Sequence, residues 1–148
     1  MDDKLPFETT IEVRDHCLCL ATQRAARALA RRFDHALKPV GLTNGQFSLL
    51  HALNRPSPAR ITELAPFLAM DRTTLTAALK VLERDGLVTI APDTRDKRNR
   101  LISLTSFGHA VLSEAMPLWR AEHAALEFQL RGEDHTLRRT LGVISTTR

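Results

Sequence analysis

The spacing of apolar residues changes period along the chain, and those changes predict the elements. From Leu75 the apolar positions are Leu75, Ala78, Leu79 and Leu82, the i, i+3, i+4, i+7 pattern of one buried helical stripe. The other face carries Arg72, Thr73, Thr76 and Lys80. Asp71 stands at the N-cap position, where its carboxylate can accept from the free backbone N–H groups of the first turn. Gly86 stands where a left-handed residue closes a helix, so a helix is predicted over 71–85. Two short runs rich in β-branched residues follow, Leu87-Val88-Thr89-Ile90 and Leu101-Ile102-Ser103-Leu104. Between them, residues 92–100 carry four basic side chains, two acids and no large apolar one. Such a loop has nothing to bury, which predicts a solvated β-hairpin tip.

Upstream, residues 1–10 read as a loosely ordered arm. Residues 11–37 contain no Gly or Pro and are dominated by Ala, Arg and Leu, which predicts one helix about 40 Å long. Lys38-Pro39-Val40-Gly41 ends it. Its apolar residues, Cys17, Leu20, Ala21, Ala25, Ala28, Leu29 and Phe33, cover more surface than one small subunit can bury, so a helical dimer interface is expected. Thr43-Asn44-Gly45-Gln46 has the form of a capping box opening a helix to about residue 53. Asn54 to Pro58 reads as a loop, Arg60-Ile61 as a very short third strand, and Thr62 as the cap of a helix over 63–68. Pro66 fits that helix awkwardly, because proline lacks the N–H that a helix interior uses. With the turn at Ala69-Met70, this helix and the one over 71–85 form a helix-turn-helix. A second long helix runs from Thr105 to about residue 130, kinked at Pro117. Gly132 breaks it, and Leu137, Leu141 and Ile144 mark a last helix.

Composition narrows the function. At 148 residues the chain is one domain, or one completed by a partner subunit, with 43% apolar and 26% charged residues. A net charge of +4 and a pI near 9.7 favour an anionic partner, more so because the basic excess is concentrated. No apolar run approaches the ~20 residues that span a bilayer. The N-terminus is acidic and polar, without the apolar segment of a signal peptide, so a cytoplasmic location is expected. Cys17 and Cys19, the two cysteines, lie about 200° apart on a helix, which argues against a bridge between them. A lone Cys-x-Cys is also a poor zinc signal. His123 and Glu127 are spaced to share a metal, although an ordinary surface pair explains them as well. No phosphate-binding Gly loop, His-Glu-x-x-His or nucleophile elbow is present, so no catalytic residue, metal or cofactor is expected.

A helix exposing hydroxyls and cations, followed by a cationic hairpin, suits double-stranded DNA: one element for the major groove, the other for the backbone or minor groove. An exposed helix and a charged turn without a ligand is the plain alternative. Asp93-Thr94-Arg95-Asp96-Lys97-Arg98 matches a D-x-R-D-x-R wing signature, preceded by Leu82-Glu83-Arg84-Asp85-Gly86-Leu87-Val88 and followed by Leu104-Thr105-x-x-Gly108. In these motifs the chain resembles the MarR family of winged helix-turn-helix transcriptional regulators, from about Arg14 to the C-terminus. The resemblance implies a mainly α (α+β) fold of about six helices and a two- to three-stranded wing sheet. Residues 11–38 and 106–148 would form dimerisation helices around a DNA-binding lobe at 42–105, with a recognition helix at 71–85 and a wing at 87–104.

It further implies a homodimer on a pseudo-palindromic operator, acting as a repressor and released by a small phenolic or carboxylate effector. Arg72, Thr73, Thr74 and Thr76 would face the major groove, although Thr74 is also placed to be held by the Asp71 cap. Lys80 would reach phosphate or solvent. Arg95, Lys97, Arg98 and Asn99 would form the wing contacts, with Asp93 orienting Arg95. Ile90 departs from the family, where an Arg or other polar residue is common. Arg24, Arg27 and Arg31 read either as a solvated cationic face or as a counter-charge for an acidic effector or for DNA phosphate. Cys17 and Cys19 suggest a thiol-based redox sensor as an alternative, with Arg14 and His16 nearby to lower a thiol pKa. That alternative lacks the Tyr partners common in such sensors, since the chain has no Tyr. A winged helix used for protein contacts, or an enzyme, is the more distant alternative.

Overall fold

The computed structural model describes residues 4–146. Local sequence explains most boundaries. Asp71 caps α5 (Arg72–Arg84), and Gly86, at φ 76°, turns the chain out of it. Thr43 and Gln46 form a reciprocal capping box at the start of α3 (Asn44–Leu53). The wing pairs β1 (Val88–Pro92) antiparallel with β2 (Arg100–Leu104), in the register Val88↔Leu104 to Pro92↔Arg100. The Leu75, Leu79 and Leu82 stripe of α5 is fully buried, in one core with Leu37, Leu50, Val88 and Ile102.

Four expectations change. The predicted helix over 11–37 is two helices, α1 (Phe7–His16) and α2 (Leu18–Leu37), the latter followed by a 3-10 turn at Lys38–Val40. The break falls at Cys17, whose backbone is extended (ψ 105°) and whose Sγ accepts from the Leu20 N–H at 3.4 Å. Residues 7–10 of the predicted arm are helical, while residues 1–3 lie outside the described residues. The third strand is a single bridge, Ala59↔Ile102, one residue before the predicted pair. The helix before the turn, α4 (Ile61–Leu68), starts two residues early, with Arg60 rather than Thr62 at its N-cap. The Arg60 N–H instead meets the Glu63 carboxylate at 2.8 Å.

Seven α-helices are therefore described, ending with α6 (Ser106–Leu130), unbroken in secondary structure through Pro117, and α7 (Asp134–Thr146). The α4–α5 turn places Ala69 in the left-handed region at φ 51°, where a non-glycine residue carries backbone strain. At the lobe's other end, Thr105 caps α6: its hydroxyl donates to the Gly86 carbonyl at 2.7 Å and accepts from the Gly108 N–H at 2.9 Å. Neither α1 nor α7 buries a side chain.

Candidate nucleic-acid interface

The first turn of α5 presents Arg72, Thr73 and Thr74 to solvent, with Lys80 exposed two turns later. Thr74 is committed to the cap. Asp71 Oδ1 accepts from its N–H at 2.8 Å and Oδ2 from its hydroxyl at 2.7 Å. These bonds, the hydroxyl one first, hold the Asp71 carboxyl below the usual carboxylate range. Thr76 donates its hydroxyl to the Arg72 carbonyl at 2.7 Å, which leaves its methyl and both oxygen lone pairs for a ligand.

At the wing, Arg95, Lys97 and Arg98 are exposed and Asn99 is half-buried. Arg98 leans back on Asp96, at 3.1 and 3.2 Å. Asp93 is buried, and its oxygens are divided between two partners. Oδ1 accepts from the Arg95 backbone N–H at 2.9 Å, and Oδ2 from the Arg60 guanidinium at 2.9 Å. The Arg95 N–H and then Arg60 hold the Asp93 carboxyl below its ordinary range, so it is fully ionised at neutral pH. Asp93 therefore supports the Arg95 main chain, and it also ties the wing to α4, a link that sequence spacing does not show.

These elements converge. A groove of about 200 Å³ between the start of α5 and the wing gathers Arg72, Thr76, Arg98 and Asn99 from the predicted set. It adds Arg60, Thr62 and Arg100, of which only Arg100 stood in the charged loop.

Platform residues separate into two sites. Arg24, Arg27 and Arg31 border a shallow groove made by α2 alone, with Ala21, Ala25 and Ala28. A different cavity, about 600 Å³, lies between α2 and α6 on one side and α3 and α4 on the other. Phe33, Phe47, Phe67, Trp119, His51 and His123 line it together with Ala and Leu side chains, and no Lys or Arg does. Burial lowers the His51 pKa from its ordinary value, which favours the neutral ring. Arg32, absent from the predicted set, is spent on Glu122 and, at 2.8 Å, on Gln129. Cys17 is half-buried at the helix break. Cys19 is exposed, its Sγ accepting from Gln23 at 3.2 Å. His123 meets Glu127 at 3.1 Å, and among the described residues no group of three or more His, Cys, Asp or Glu could hold a metal.

Comparison with known proteins assigns the arrangement. The family model described as MarR family matches residues 42–99, which carry α3, α4, α5, the first wing strand and the wing tip. The transcriptional activatory protein BadR of Rhodopseudomonas palustris is 34% identical over 127 residues, covering 82% of this chain and 73% of that protein. The chain belongs to the MarR family. Several solved family structures hold DNA. The regulator MosR of M. tuberculosis in complex with DNA is 38% identical, with a TM-score of 0.73, covering 87% of this chain and 98% of that one. The transcriptional repressor CouR, bound to a 23-mer DNA duplex, is 30% identical with a TM-score of 0.79, covering 97% and 99%. This MarR-family chain is thus a DNA-binding transcriptional regulator, and its relatives are regulators rather than enzymes. Among the described residues no helix is long and apolar enough to cross a membrane.

Proposed function

We propose that the protein acts as a homodimer that reads a pseudo-palindromic operator and represses by occupying it. The observation that carries this reading is the groove where the start of α5 and the wing meet, lined by Arg72 and Arg98. Arg72, Thr73 and the Thr76 methyl face base edges, since Arg can bond guanine in two places and a Thr methyl can touch thymine. Thr74 acts through the cap. Lys80 reaches phosphate, as do Lys97, Arg98 and Asn99, while Arg95 enters the minor groove, whose negative potential attracts it. Repression needs only occupancy, whereas activation needs a further contact with the transcription machinery. The named relatives include one of each kind.

The reading is tested by gel shift on the DNA upstream of the protein's own gene, with competitor and graded salt. Specific binding that weakens steeply with salt is expected, because phosphate contacts release counterions. Arg95→Ala should lower that affinity by roughly tenfold or more while gel filtration still shows a dimer. Wild-type affinity in this variant would remove the wing from the interface.

Release by an effector is assigned to the 600 Å³ cavity. Its walls are aromatic and aliphatic, its polar groups are imidazoles with Ser48 and Asn44, and it offers no Lys or Arg to a carboxylate. A phenolic ligand therefore fits better than a carboxylate, and Arg24, Arg27 and Arg31 are left as a solvated face. Phe67 and Leu68 line the cavity from the end of α4, directly before the strained Ala69 turn into α5. A ligand held there bears on the spacing of the recognition helices, and affinity falls because both half-sites must be met together. Trp119 is the only Trp and the chain has no Tyr, so intrinsic fluorescence reports on this wall. Simple phenols should shift or quench it saturably and release DNA over the same concentration range. A flat titration would sink the assignment.

A second reading is favoured by the helix break, where the Cys17 thiol caps α2. In it, peroxide oxidises the thiol and DNA is released. A Cys17→Ser, Cys19→Ser variant should then keep its DNA under peroxide that strips the wild type, and release from both proteins would end the idea.

A further inference from the structure

We infer that Arg60 is the positioning residue of the wing, acting through Asp93 rather than on DNA. The inference rests on the DNA-binding reading above. Asp93 is the only buried charged residue described, 3% exposed, and it lies at the base of the cationic tip. A carboxylate withdrawn from water must be compensated by hydrogen bonds and opposite charge. Asp93 receives that compensation from an element 33 residues upstream, through Arg60 Nη2 at 2.9 Å and Nε at 3.3 Å on Oδ2. Oδ1 is thereby left to the Arg95 N–H at 2.9 Å, while the Asp93 N–H donates to the Asn99 carbonyl at 3.1 Å. The chain on either side of the main DNA-facing cation is thus arranged around one ionised carboxylate.

Arg60 is itself held firmly. Ala59 exchanges backbone bonds of 2.9 and 2.8 Å with Ile102 of β2, and the Arg60 N–H is fixed by Glu63 at the N-cap of α4. A rigid donor on the helix-turn-helix therefore sets the wing's angle to α5. Without it, the Asp93 charge is stranded and must turn toward solvent. The Arg95 N–H then loses its acceptor, and the tip depends on strand pairing alone. Lysine cannot replace the paired Nε and Nη2 grip, because its ammonium is a point charge on a flexible stem.

The test uses the full-length protein and a duplex that the wild type selects from a randomised library. Binding is measured by fluorescence anisotropy for Arg60→Met, Arg60→Lys, Asp93→Asn and the Arg60→Met, Asp93→Asn double variant. Each single variant should lose roughly tenfold or more. The double variant should lose no more than either single one, the non-additivity of residues that act as a unit. Arg60→Lys should behave as Arg60→Met does. Hydroxyl-radical footprints should lose protection where the wing lies and keep it where α5 lies. Without DNA, exchange of the Arg95 amide hydrogen should quicken in Arg60→Met while circular dichroism and dimer elution stay those of the wild type. Additive losses, full rescue by Arg60→Lys, or an unchanged Arg95 amide would overturn the inference and leave the DNA-binding reading standing. A wild type that selects no duplex would overturn both.

Discussion

Gly108→Ala should lower folding stability by about 3 kcal/mol or more, above the usual range for an overpacked side chain. The reason is the neighbour. A Cβ on Gly108 would sit 2.1 Å from the carbonyl oxygen of Leu87 and 3.1 Å from its carbonyl carbon. Both are backbone atoms, so no rotamer change relieves the clash. That carbonyl also accepts the Thr105 N–H at 3.1 Å, and Thr105 in turn binds the Gly86 carbonyl and the Gly108 N–H. Moving Leu87 aside would break the junction that joins the end of α5, the first wing strand and the start of α6. With a total stability of about 5–15 kcal/mol for a typical domain, such a loss is a large share. A fall in Tm of roughly 10 °C is expected for a chain of this size, and DNA affinity should fall with it, because wing and recognition helix share the junction. Gly45→Ala is the control. Its nearest contact would be Thr43 Oγ1 at 4.0 Å, and it lies in a helix, so alanine there should be neutral or stabilising by up to about 1 kcal/mol. Thermal melts of the two variants decide the matter. If Gly108→Ala melts with the wild type, the close approach of α6 to Leu87 is not as described.

The parts of this fold that are legible in sequence are those whose causes are local. Asp71, the Leu75–Leu79–Leu82 period and Gly86 lie within one helix and its caps, and the charged run between two β-branched stretches marks the hairpin directly. The break at Cys17 is also local, but its signal is misleading. A thiol does there what a hydroxyl or carboxylate usually does, in a stretch with no Gly or Pro to announce it. Arg60 looks like part of a strand because Ile61 follows it, whereas its role depends on a carboxylate far along the chain. The cavity is further out of reach, since its wall draws on α2, α3, α4 and α6. Helical spacing places Arg24, Arg27 and Arg31 on one face of α2, but only packing shows that this face is not the cavity's. Local pattern therefore predicts which elements form, and the tertiary pairs determine how the site is aimed.

The largest effect on function is expected from the pair of substitutions Leu141→Asp and Ile144→Asp. Helix α7 buries none of its side chains within one subunit, although Leu137, Leu141 and Ile144 repeat at i, i+4 and i+7. They are 43%, 36% and 47% exposed, and Phe7 and Val13 of α1 are more exposed still. An apolar stripe on a terminal helix with no covering element in its own chain is what a two-fold interface requires, since each copy offers the other the same surface. Two carboxylates placed in such an interface would be desolvated without partners, at several kcal/mol each, which should exceed what holds the pair together. DNA binding then changes in kind. Two lobes on one rigid platform meet half-sites about 34 Å apart, and the second contact forms at an effective concentration in the millimolar range. Separate monomers lose that advantage, so operator affinity should fall by about a hundredfold or more, and the dependence of log K on log salt should drop toward half its slope as phosphate contacts are halved. Arg139→Asp makes the same change in net charge on the far side of α7 and serves as the control for electrostatics alone. Gel filtration and anisotropy on the same samples separate the outcomes: a monomer with weak, shallow-slope binding supports the two-copy unit, whereas a dimer with wild-type binding would place the interface elsewhere than on α7.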